Sequence, residues 1–179
     1  LSARYQRDSG AWMSLVGTGV QLERGVAPEA HVDEPRLWRY PDQRRLVAAL
    51  AAGTGFRDTA LGRGDLEVSL GLDLGSTDIE AFASEDYQEV VETERGEDRT
   101  LTLRTTGDLA VSDRTDLRAA LTLGQVVHDE IIDGGPATTY EQRLWSLGGE
   151  WERRFDSFLG VTGLSGTRLT LGATVDGSD

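Results

Sequence analysis

Asp65-Leu66-Glu67-Val68-Ser69-Leu70-Gly71-Leu72-Asp73-Leu74 alternates without a break between an aliphatic residue and an acidic or small one. Successive side chains on a β-strand point to opposite faces, so this stretch has one aliphatic and one polar face. A helix would scatter the same leucines around its circumference. A period of two is a strand signal, and the strand runs on to about Asp78.

The pattern recurs on both sides of this stretch. Residues 44–57 alternate Leu46, Ala48, Leu50, Ala52 and Phe56 with Arg45, Val47, Ala49 and Ala51. Their Ala-rich middle has helix propensity, but Gly53-Thr54-Gly55 and the flanking strands favour strand. Residues 99–111 set Leu101, Leu103, Leu109 and Val111 opposite Thr102, Arg104, Thr106 and Asp108. In residues 116–128, Leu117, Ala119, Leu121, Leu123 and Val127 oppose Arg118, Ala120, Thr122, Gly124 and His128. Residues 139–155 place Trp145, Leu147 and Trp151 together, and 167–175 do the same with Leu169, Leu171 and Ala173. Residues 1–7 read as a strand end. Residues 11–23 group Trp12, Val16, Val20 and Leu22 opposite Gly17, Gly19, Gln21 and Glu23, with Met13 and Leu15 interrupting the second group. The expectation is an all-β chain, an antiparallel up-and-down meander of about eight long strands.

The connections alternate too. They are short near residues 8–10, 58–64 and 112–115, long at 24–43, 79–98 and 129–138, and irregular at 156–166. In a meander all the short ones collect at one end. The strands run well past the usual 5–6 residues, and a tilted membrane-spanning strand needs about 9–11. Asp65, Glu67, Asp73, Arg104, Asp108, Arg118, Glu150 and Glu152 would be costly in a dry core unless paired, but not in a wet lumen. The expected architecture is therefore part of a transmembrane outer-membrane β-barrel, with short turns at one rim and long loops at the other. Given a barrel, Trp12, Trp145, Trp151 and Phe56 suit interfacial aromatic girdles better than ordinary β packing.

A net charge of −13, with 18 basic residues that are all Arg, argues against nucleic acid as a partner, because no basic excess exists to neutralise phosphates. The lack of Cys excludes disulfides and thiolate metal sites. The 22 Gly and 4 Pro suit strands joined by turns. No apolar run is long enough for a membrane helix, which leaves a barrel open because alternation conceals its hydrophobicity. The chain shows no opening Met and no signal pattern, as expected of a mature product or a fragment.

Motifs for catalysis are missing. Gly163-Leu164-Ser165-Gly166-Thr167 departs from a nucleophile elbow at its last residue. Gly17-Thr18-Gly19 and Gly53-Thr54-Gly55 sit in strands with no helix following, unlike a dinucleotide fingerprint. The acidic run from Asp78 to Asp98 lacks calcium-loop spacing and reads as a solvated loop. No catalytic residue, metal site or cofactor is expected. His128 reads as a spectator on the wet face.

Three segments carry a family resemblance: Trp38-Arg39-Tyr40-Pro41; Tyr87 with Val90-Val91-Glu92-Thr93-Glu94 and Asp98-Arg99-Thr100; and Gln142-Arg143-Leu144-Trp145-Ser146-Leu147-Gly148-Gly149-Glu150. In these, and in its pattern of strands and loops over most of its length, the chain resembles the barrel region of TonB-dependent outer-membrane receptors. It departs from them in lacking a plug domain, a TonB box and a barrel-terminal strand ending in an aromatic residue. The family's barrel has about 22 strands. Residues 1–179 thus resemble an internal slice of that barrel, without plug, signal peptide or barrel C-terminus. The resemblance implies a non-enzymatic receptor in the outer membrane of a Gram-negative cell. It would import a scarce large solute such as a ferric siderophore, cobalamin or a glycan. The implied partners are outer-membrane lipid, the rest of the barrel, a plug and, through absent parts, the TonB complex.

Residues His31, Trp38, Tyr40, Tyr87 and Tyr140 fall in or beside the expected extracellular loops. They are candidate ligand contacts, or they stabilise the loops against one another. Two other readings compete: a complete small outer-membrane barrel, structural or a passive pore, and a soluble β-sandwich binding module. Pairing of the first and last strands would favour the small barrel. Open edges would favour the slice. A second sheet over Leu66, Leu70 and Leu74 would exclude both membrane readings.

Overall fold

The computed structural model describes residues 1–29, 31, 35–155 and 166–179. These form β1 (Ser2–Gln6), β2 (Trp12–Gly25), β3 (Trp38–Gly53), β4 (Arg57–Thr59), β5 (Gly62–Phe82), β6 (Val90–Ser112), β7 (Thr115–Ile132), β8 (Thr138–Phe155) and β9 (Thr167–Ser178), with no helix among the described residues. The all-β meander is as expected. All strands join one antiparallel sheet in the order β1-β2-β3-β5-β6-β7-β8-β9. The short β4 continues the line of β3 beside β5. Gly53 faces Glu67 and Arg57 faces Gly64, so one extra residue is accommodated between them as a bulge. The connection expected at 156–166, and the elbow-like Gly163-Leu164-Ser165, lie almost wholly outside the described residues.

The sheet is not closed: β1 pairs only with β2, and β9 only with β8. The described residues form neither a complete small barrel nor the second sheet of a sandwich. Among the described residues nothing covers the leucines, and Phe82 is the one buried hydrophobic side chain. Leu70, in the middle of the sheet, is 44% exposed.

The strands are longer than the alternation indicated, reaching 21 residues in β5 and 23 in β6. The connections expected at 24–43, 79–98 and 129–138 shrink to 26–37, 83–89 and 133–137. The missing stretches are strand with polar residues on both faces. Without an apolar face there is no period of two to read, so they resemble loop.

Cross-strand register settles which residues share a face. Leu15, Leu50, Leu70, Leu103, Leu123 and Trp145 form one row across six strands. The neighbouring row, Ser14, Ala51, Ser69, Arg104, Thr122, Ser146 and Asp176, belongs to the opposite face. In β2 it is Met13, Leu15, Gly17 and Gly19 that join the leucines; Trp12, Val16, Val20 and Leu22 stand on the acidic face. Trp12 is thereby separated from Trp145 and Trp151, and Phe56 lies in the bulge rather than on a long strand. A period of two defines two faces, but only the neighbouring strand decides which is which.

The aliphatic band crosses the strands obliquely. Its loop-side limit is Leu74 on β5, Leu101 on β6 (before Arg99) and Trp145 on β8 (before Arg143). Its turn-side limit moves the same way, from Ala52 on β3 to Leu66 on β5, Leu109 on β6 and Trp151 on β8. The shift is about one residue per strand. With a rise of ~3.3 Å per residue and a strand spacing of ~4.8 Å, the band is inclined by about 35° to the interstrand direction.

Two indoles lie over cross-strand glycines. A Cβ added to Gly53 would collide with the Trp12 ring, and one on Gly177 would come within 2.8 Å of Trp145 Nε1. Such stacking covers a glycine's bare backbone with an aromatic face. Gly149 differs, since a Cβ there would meet nothing nearer than the Arg118 carbonyl at 3.9 Å. Gly53→Ala should displace the Trp12 indole and destabilise the sheet by about 1–3 kcal/mol. Gly149→Ala should be neutral or stabilising by up to ~1 kcal/mol. Denaturant unfolding of both variants measures the contrast.

Candidate functional site

Beyond the aliphatic band, toward the 26–37, 83–89 and 133–137 connections, aromatic side chains gather on β3, β5 and β8. Their placement starts from a break in β3. Arg39 pairs with Glu80 and Asp42 with Asp78, so Tyr40 and Pro41 share the space opposite Ile79. Pro41 has no N–H to give to a ladder, which suits a bulge. Trp38 pairs with Ala81, seven residues beyond Leu74 along β5, and so belongs to the polar face. Arg39 belongs to the other face.

Arginines lie over the rings. The Arg36 guanidinium is 5.1 Å from the Trp38 ring centre, Arg24 is 4.6 Å from Tyr40, and Arg39 is 5.5 Å from Phe82 and 6.0 Å from Tyr87. These are cation–π distances. Phe82 and Tyr87 meet edge to face at 5.1 Å. The Phe82 N–H donates to the Leu37 carbonyl at 2.9 Å, which ties the entry of β3 to the end of β5. Tyr87 has φ 52°, in the left-handed region. Asp86 braces its turn by accepting from Ser84 Oγ at 2.5 Å and from the Gln88 N–H at 3.3 Å. The Ser84 hydroxyl, then the Gln88 amide, hold the Asp86 carboxyl below its usual value.

A second group stands on the polar face of β6, β7 and β8. Asp98, His128 and Tyr140 form one cross-strand row. His128 Nδ1 is 2.7 Å from Asp98 Oδ1, and the His128 and Tyr140 ring centres are 6.1 Å apart. On the opposite face Arg99 pairs with Asp129, which also accepts from Thr139 Oγ1 at 2.5 Å. Nearer the turns, Arg118 bridges Asp108 at 3.1 Å and Glu150 at 2.6 Å.

The five candidate contacts are therefore dispersed. Trp38, Tyr40 and Tyr140 are on strands, not in loops; Tyr87 is in the 83–89 turn and His31 is exposed between β2 and β3. Tyr87 meets the Arg39–Phe82 pair and Tyr140 meets His128, but three strands separate β3 from β8. Sequence reading missed Arg24, Arg36, Arg39 and Phe82. Arg36 and Trp38 are two apart, the spacing of same-face neighbours on a strand, and that signal was available. The partnerships of Arg24 and Arg39 cross between strands and leave no local trace. Among the described residues, no group of His, Asp and Glu is arranged to hold a metal ion. Aromatic faces backed by guanidinium groups can stack on and hydrogen-bond a ligand.

No family model matches the chain, and no curated protein or solved structure matches it.

Glu29 controls one edge of this region. It accepts from the Arg36 backbone N–H at 2.8 Å and from Arg36 Nε at 2.9 Å. The Arg36 backbone N–H, seconded by its guanidinium, holds the Glu29 carboxyl below its ordinary 4.5. A lowered folded-state value means that the clamp is fully present above 4.5 and is lost as pH falls through the lower value. Fluorescence of a variant retaining only Trp38 should show a transition with its midpoint below pH 4.5. Glu29→Gln should abolish that transition.

Proposed function

We propose that this chain is wall from the barrel of a TonB-dependent outer-membrane receptor that imports a scarce large solute. The observation that carries the reading is the uncovered aliphatic band, inclined across a single-layer sheet. Soluble monomers rarely leave contiguous apolar patches above a few hundred Å² in water. Here the described part of the chain supplies no layer to cover the leucines. The inclination of about 35° agrees with the tilt of ~35–45° that barrel strands adopt across a membrane. Charged side chains border the band at Arg99, Arg143 and Arg153, where a hydrocarbon layer would end.

Two unpaired edges on a sheet of this width call for further strands, because exposed ladder groups are a template for pairing. That supports a barrel larger than the described sheet. The three TonB-receptor-like segments support the family. On this reading the polar face lines the lumen. Trp38, Tyr40 and Tyr140 stand on the luminal wall outside the membrane, with His31 and Tyr87 at the rim, and act as ligand contacts. Function then consists of capture and passage, with the plug and the TonB complex as partners.

Three measurements test this. In single-tryptophan variants held in bilayers with brominated acyl chains, Trp145 and Trp151 should be quenched while Trp12 and Trp38 stay bright. Quenching of all four alike would remove the assignment of faces. Leu70→Arg should cost about 2–4 kcal/mol of folding stability near the bilayer midplane. Ser69→Arg should lose no more than ~0.2–1 kcal/mol, from the like charge of Arg104 directly opposite. Joint alanine substitution of Trp38, Tyr40 and Tyr140 in the intact receptor should lower solute uptake without lowering its amount in the membrane.

A further inference from the structure

On the leucine face, near the turn end of the band, an open groove of about 840 Å³ crosses β5 to β9. Leu109, Leu117, Trp151 and Leu171 form one wall as a continuous cross-strand row. The floor is the adjacent row, in which Leu66 is followed by Gly107, Ala119, Gly149 and Ala173. Among the described residues, nothing fills the space these small residues leave. A Cβ on Gly107 or Gly149 would meet nothing closer than 3.9 Å, whereas the glycines under Trp12 and Trp145 are covered by indole. Asp65, Asp108, Arg118 and Glu150 also border the groove, but their register sends their side chains to the other face, where Arg118 holds Asp108 and Glu150.

At the β5 end the groove is bordered by Arg57, Thr54 and Thr59. Arg57 donates one bond, from Nη2 to the Thr54 carbonyl at 2.6 Å, and has no carboxylate partner among the described residues. Arg118, Arg154 and Arg168, toward the turn end on the other face, are each ion-paired, and Arg153, on the leucine face beyond Trp151, lies over the Phe155 ring at 5.4 Å at the far end of the groove. An apolar trough that ends on an uncompensated guanidinium at the border of an aliphatic band has the polarity of an anionic amphiphile. Four interstrand steps give it a length of about 19 Å. That exceeds the ~15 Å of one leaflet's hydrocarbon, the depth that a single acyl tail fills.

We propose that the groove is a specific site for one phospholipid, with an acyl chain laid across β6 to β9 and its phosphate held by Arg57. The proposal rests on the membrane reading above. It goes further in assigning one retained lipid, of defined charge, to a defined place on the wall. A general lipid coat would depend on neither Arg57 nor Gly149.

The test is native mass spectrometry of the full-length protein, released from nanodiscs containing phosphatidylglycerol and diacylglycerol. Wild type should keep one phosphatidylglycerol. Arg57→Gln, a substitution at the exposed turn end, should lower its occupancy about tenfold and leave any retained diacylglycerol unchanged. Gly149→Leu should exclude both lipids, while Val175→Leu, outside the groove, should change neither. Retention by Arg57→Gln and Gly149→Leu equal to wild type, or no retention by wild type, overturns the proposal. Quenching of Trp145 by brominated chains in the same samples separates the two readings. Quenching with lipid retention unaltered in the variants rejects the groove alone, and no quenching rejects the membrane placement as well.

Discussion

Backbone hydrogen bonding between neighbouring strands is the interaction on which the described structure depends. Among the described residues no second layer packs on either face, so order comes from the ladders and from side chains touching across them. Register becomes decisive in such a sheet, because a slip of one residue would exchange every aliphatic side chain for a polar one. The run of Leu, Val and acidic residues on β5 penalises any slip, and β5 lies inside the sheet with β3 and β6 paired along most of its length. The indoles over Gly53 and Gly177 add a geometric lock toward the two flanks.

The two faces are built for different surroundings. One keeps aliphatic side chains contiguous across β2 to β9, and its charges begin only beyond the limits of the band. The other spreads charges along the whole length of the strands and pairs many of them across the ladder, as Arg118 does with Asp108 and Glu150. The oblique course of the band links the faces to strand tilt. Strands perpendicular to a hydrocarbon layer would keep the band at constant register, whereas tilted strands must shift it from one neighbour to the next. That geometric relation is what the proposed barrel wall requires of the leucine pattern.

The aromatic groups outside the band use the same sheet differently. There both faces are polar, and rings are held by arginines rather than by a core: Arg24 on Tyr40, Arg36 on Trp38, Arg39 on Phe82 and Tyr87. Held in this way, an aromatic side chain can stay ordered while its surface remains accessible. A recognition surface needs both properties, and a catalytic centre would need more than they provide.

The sequence by itself determined the strands wherever one face was aliphatic. The alternation from Leu66 to Leu74, and its repeats at Leu46, Leu101, Leu117 and Trp145, identify strands, because a period of two has no other regular source, and the short connections between them make the meander antiparallel. The same alternation exposed a polar face opposite the aliphatic one, and the absence of Cys excluded cysteine chemistry. Tertiary structure alone decided the rest. It set Trp12 apart from Trp145 and Trp151, moved Met13 and Leu15 in with the leucines, and extended β5 to Phe82 and β6 back to Val90. It also placed Arg39 on Phe82 and left the groove above Gly107 and Gly149 open. The physical reason is common to all of these. A single strand records the alternation of its own side chains, but which face it joins, where a doubly polar strand ends and which ring an arginine covers depend on hydrogen-bonded neighbours distant in the chain.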